Sequence, residues 1–212
     1  MLTLLLPVLF AAAVEVERVL ALVNNVPVLA SDVELAEAGA LVPREPAESD
    51  AAYRSAVLEA LVDLELRWQD LQAAGITTRA QVDLDAAWRT TVERAGGEAA
   101  LREKLAQLGF NDGPLRELIR RAAIVQSYVA TRFGPFVRPT SQEVETYWQR
   151  ELVPQLKADG KPVPPLAEVR AKVEALLRER KLSAEIDRWT AELAKRAEIV
   201  RYLEPPPAPP SR

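Results

Sequence analysis

Asp63 and Glu65 are the nearest this 212-residue chain comes to an acid/base pair, and their spacing works against one. Two carboxylates can divide acid and base duties when they face each other, but residues two apart on a helix point to different sides. They read as solvated surface. The sequence contains no histidine and no cysteine. The first absence removes Ser-His-Asp and Cys-His nucleophile pairs and any imidazole titrating near neutral pH. The second removes disulfides, thiolate nucleophiles, iron–sulfur ligation and zinc knuckles. A metal would need oxygen ligands, and neither a calcium-loop run of spaced Asp/Asn nor a phosphate-binding glycine loop is present. No catalytic residue, metal or cofactor is expected.

What remains is recognition by contact. The chain is 49% hydrophobic and carries four Trp, four Tyr and four Phe. Trp68 and Trp189 lie on apolar stripes and are expected in the core. Trp88 has only Leu84 and Val92 as large apolar neighbours, which predicts exposure. Phe110 falls between two helices, and Phe133 and Phe136 flank a Gly-Pro break. Trp88, Leu105, Leu108, Phe110, Phe133 and Phe136 are the candidate peptide-binding residues. Net charge is −4 but uneven, with 12 acidic and four basic side chains over residues 15–75. Residues 102–138 reverse the sign, with seven basic and three acidic side chains. Without a dense Lys/Arg stripe, nucleic acid is not an expected partner.

The elements that must position these residues are mostly helical, as the eight glycines suggest. Residues 2–10 are almost wholly apolar and run into Ala11-Ala12-Ala13, the pattern of a secretory signal peptide cleaved near Ala13; a buried strand is the competing reading. The run is too short to span a bilayer as a helix, and no membrane span is expected elsewhere. Two aliphatic runs around Asn24–Pro27 predict a hairpin. Ser31 with Glu34 reads as a capping box, opening a short helix from Asp32 to about Leu41, with Pro43 and Pro46 marking a loop. Helical spacing of Val57, Leu58, Leu61, Leu64, Trp68 and Leu71 follows, stopped by Gly75. Thr78 with Gln81 predicts another helix start. Further helices are expected over residues 98–108, from Asp112 to Gly134-Pro135, and from Thr140, where Glu143 completes a box. Residues 153–164 read as a breaker-rich connection. Residues 165–197 read as one long helix, residues 198–203 as a strand, and the proline-rich 205–212 as a mobile tail. Two terminal β segments with none between them most simply pair with each other.

In that order, residues 16–34 (VERVLALVNNVPVLASDVE), 58–75 (LEALVDLELRWQDLQAAG), 115–138 with the following Pro-Thr-Ser-Gln-Glu, and 165–203 resemble the SurA family of periplasmic chaperones and parvulin-type foldases. The likeness covers residues 16–203. It implies a mostly α chaperone domain, with a small antiparallel sheet formed by the N-terminal hairpin and a C-terminal strand. The parts are 1–13 as signal peptide, 14–204 as the chaperone domain (14–152, a connection 153–164, and a closing helix and strand 165–204), and 205–212 as tail. One departure is large. Parvulin prolyl-isomerase domains stand in that family where this chain has only residues 153–164, and their histidine-bearing pocket has no counterpart. The resemblance therefore implies a periplasmic, ATP-independent holdase for unfolded or outer-membrane protein segments, without isomerase activity. A homodimer through exchange of sheet elements is conceivable. The alternative is a helical adaptor that binds one folded partner in the cell envelope.

Overall fold

The computed structural model describes residues 17–202; the signal-peptide reading of residues 1–13 and the tail 205–212 lie outside them. β1 (Val19–Val23) and β2 (Val26–Leu29) form the expected antiparallel hairpin. Asn24 and Asn25 both take left-handed backbone, with φ of 49° and 68°, as a two-residue hairpin turn requires. β3 (Ile199–Arg201) pairs antiparallel with the other edge of β1, giving the order β2-β1-β3. The hairpin turn also fixes the returning strand. Asn24 donates its backbone N–H to the Glu198 carbonyl at 2.9 Å, and its Oδ1 accepts the Glu198 N–H at 2.9 Å. The two ends of the described chain are thus closed by the β1–β3 ladder, with Asn24 anchoring its start.

α1 (Ala30–Ala38) starts before its expected Ser31 cap. Asp32 does the capping instead, its carboxylate accepting the Leu29 N–H at 2.9 Å. α1 also stops short of Leu41, because Ala40 turns left-handed at φ 47° and the Leu41 N–H closes back on the Ala36 carbonyl. α2 (Asp50–Ala73) is capped by Ser49 and ends at left-handed Gly75. The Thr78 start is not realised. Its hydroxyl donates back to the Gly75 carbonyl, and α3 (Leu84–Arg94) begins later, on Asp83, which accepts the Ala86 N–H at 2.9 Å. α4 (Glu98–Gln107) and α5 (Asp112–Arg132) follow, the latter capped by Asn111 rather than Asp112.

A short turn at Gly134–Phe136 leads to α6 (Ser141–Tyr147), where Thr140 and Glu143 form the expected reciprocal cap. The connection expected at residues 153–164 is helical over half its length. A π-helical turn, Trp148–Leu152, carries α6 into α7 (Val153–Ala158). Pro154 is accommodated by the π-helical turn before it, where the Val153 N–H already reaches back five residues to the Trp148 carbonyl. Lys161 to Pro165 is free of helix, and α8 (Leu166–Ala194) then runs for 29 residues, about 44 Å at 1.5 Å per residue.

Those elements build a body and an arm. In the body, β1, β2, α1 and α2 share a core with Leu193 of α8. α1, α3, α4 and α5 share a second core, and Trp68 and Leu71 join Ile124 and Val125 between α2 and α5. The arm is a hairpin of α6–α7 against the first half of α8, with its own core of Val144, Tyr147, Trp148 and Val173. Ion pairs Lys181–Glu143 at 2.6 Å and Arg180–Glu151 at 2.8 Å clasp its base. α8 is therefore shared, apolar toward the arm in its first turns and toward the body at Trp189 and Leu193.

Candidate functional site

The apolar spacing that builds α2 also leaves a cleft in the body. Leu61 and Leu64, three apart, face Val125 and Val129 of α5, four apart, so each pair lies on one side of its helix. The loop after α1 contributes Leu41 and Val42, Ile186 of α8 closes the far side, and the enclosed volume is about 270 Å³. Arg67 supplies the fixed polar edge. Its Nε donates to Thr190 Oγ1 at 2.7 Å and its Nη2 to Asp63 Oδ2 at 3.1 Å, tying α2 to α8 beside the cleft. Burial lowers the Arg67 pKa, against the pull of Asp63 and Asp187. Burial likewise raises that of the Asp63 carboxyl, with Arg67 opposing.

Asp63 and Glu65 do not share a site. Asp63 turns to Arg67, whereas Glu65, 8% exposed, accepts from Gln69 Nε2 at 2.7 Å and meets Arg121 at 3.4 Å. Desolvation raises the Glu65 pKa most, with Gln69 and Arg121 lowering it and Asp32 adding a further rise. Glu65 is thus a packed polar tie rather than solvated surface. Among the described residues no group of three or more His, Cys, Asp and Glu could hold a metal ion, and no helix is long and apolar enough to cross a membrane.

The six candidate peptide-binding residues do not converge. Trp88 is a correction: it is 7% exposed, because α3 lies against α5 and the Arg116 guanidinium covers the indole at 3.9 Å from the ring centroid. Leu105, 1% exposed, belongs to the same core, and half-buried Phe110 packs on its edge. Only Leu108 at that end reaches solvent. Phe133 sits elsewhere, at the α5–α8 junction, with its ring 6.4 Å from Tyr128 and 5.8 Å from Trp189. Phe136 is 76% exposed and stands alone beside buried Val137. Trp68 is buried as expected, and Trp189 is half-buried, its indole N–H donating to Asp70 at 3.2 Å.

Leu61 and Leu64 were visible in the sequence as one core stripe. Nothing in that stripe distinguishes Leu64, left half-buried at the cleft, from Leu61, which is 7% exposed and as buried as Val125 and Val129 opposite. No family model matches the chain, and no curated protein matches it either.

Proposed function

We propose that the protein is an ATP-independent holdase of the periplasm, taking unfolded or outer-membrane protein segments into the apolar cleft between α2, α5 and the loop after α1. The observation that carries this reading is the cleft itself, about 270 Å³ lined by aliphatic side chains, with Arg67 at its edge held by Asp63 and Thr190. A holdase needs no chemistry, only apolar surface that a client can enter and leave. At about 25 cal/mol per Å² less the cost of ordering, such a surface gives micromolar affinity. The apolar run before Ala13 and the order of elements support export, and the short stretch 153–164, where the resembled family carries a parvulin domain, supports a chaperone without isomerase activity.

The test is light scattering of an outer-membrane β-barrel protein diluted from urea, without ATP, with and without a stoichiometric amount of the chain from residue 14 onward. Suppressed aggregation is expected. Ala122→Phe, which fills part of the cleft, should weaken suppression while leaving the melting temperature nearly unchanged. Equal scattering in both samples, or capture of one folded envelope protein and no unfolded client, would replace the holdase reading with the adaptor one. A proline-isomerisation assay should show no acceleration.

A further inference from the structure

A second cleft lies on the arm, about 430 Å³ between α7, the segment 161–165 and the first turns of α8. Trp148 and Val173, 8% and 3% exposed, are its floor, and Leu156 and Leu176 are its walls. The only charged residues lining it are Lys161 and Lys172. Lys161 is 62% exposed even while shared with Asp159 at 3.0 Å. Lys172 makes no ion pair among the described residues. Pro162 and Pro164 remove two backbone donors from the wall, which leaves the ammonium groups as the strongest donors at the rim.

A floor of this kind takes apolar side chains, and a rim carrying one unpaired ammonium and a second shared with Asp159 takes an acceptor that carries negative charge. We propose that the arm cleft is a separate peptide site selecting extended apolar segments flanked by Asp or Glu. The inference rests on the holdase reading only in taking an unfolded polypeptide as occupant. The local sign runs against the whole molecule, whose net charge is −4. The preference must therefore act at close range, within a Debye length of about 8–10 Å, and must fade in salt.

The experiment is fluorescence anisotropy of the whole chain from residue 14 onward with three labelled peptides. They share a Leu/Phe centre and differ only in flanks of Asp, Asn or Lys. At low salt the Asp peptide should bind about tenfold tighter than the Lys peptide, the size that two exposed ion pairs supply. High salt should erase the difference. Lys161→Glu with Lys172→Glu, both solvent-facing and so compatible with folding, should invert the order, with circular dichroism unchanged. Three equal affinities, or an order that survives charge reversal, would overturn the proposal. So would a dimer in sedimentation whose formation, rather than peptide binding, accounts for occupation of the cleft. The holdase reading fails separately: scattering can be unsuppressed while the peptide order holds, and suppressed while it does not.

Discussion

Replacing Trp88 by alanine separates a core residue from a client-binding one. An indole buries about 150–250 Å², and with only 7% of the residue exposed almost all of that area is withdrawn from water. At about 25 cal/mol per Å² the transfer amounts to roughly 4–6 kcal/mol, and buried Trp→Ala changes cost about 3–5 kcal/mol. Arg116 over the ring adds about 1 kcal/mol. The expected loss is therefore about 4–5 kcal/mol, which lowers the melting temperature by roughly 8–20 °C for a chain of this size. Equilibrium urea unfolding measures it. Trp88→Phe should lose much less. Arg116→Ala should cost about 1 kcal/mol in the parent, and less beside Trp88→Ala, where there is no ring to cover. Client capture measured below the melting transition should be unchanged. A loss under about 1 kcal/mol accompanied by weaker capture would refute the reasoning and return Trp88 to an exposed groove.

Other outcomes follow from the polar ties. Burial raises the Glu65 pKa, so its charge costs stability above its ordinary value of 4.5 and the cost grows as pH rises through the higher folded value. Glu65→Gln should therefore stabilise at pH 7, with the gain vanishing below pH 4.5 in a pH series of urea midpoints. Glu143 shows the opposite sign. Lys181 and the Thr140 cap hold its pKa at about 2, so its contribution is full above 4.5 and is lost as pH falls through 2. Amide exchange in α6 should rise over that interval, and Glu143→Gln should abolish the dependence. Asn24→Ala removes the acceptor of the exposed Glu198 N–H, at about 1 kcal/mol, with β3 amides losing protection first.

Much of the fold was legible because its signals are local. The Asn24-Asn25 turn, the Gly75 stop and the Thr140–Glu143 box each act within a few residues. The pairing of the N-terminal hairpin with β3 followed from there being no strand between them in the sequence, though not that β1 rather than β2 would take it. Failures came where two local signals competed. Ser31 and Asp32 are both good caps, and Asp32 wins by reaching the Leu29 N–H. Thr78 loses to Asp83 because its hydroxyl is already spent on the turn at Gly75. Pro154 read as a breaker, yet a π turn before it widens the helix locally and the helical path runs on through it.

The candidate site was less legible, for a reason that Trp88 and Leu64 make concrete. Sequence ranks exposure by how many apolar residues share a stripe, so Trp88, with few helical neighbours, reads as exposed and Leu64, with many, as buried. Burial is decided by what lies opposite. Trp88 meets Leu101, Leu105 and Leu115 from other helices, and an arginine from α5 covers it. Leu64 meets the place where the loop after α1 arrives without filling the space. The same holds on the arm, where Trp148, a core residue, also floors a cleft because residues 161–165 pass by without helix. A surface that binds by contact is built from such mismatches between rich stripes and incomplete partners, and a mismatch is a property of two elements. That is why the chain's missing histidine and cysteine were readable at once while its clefts required the packed structure.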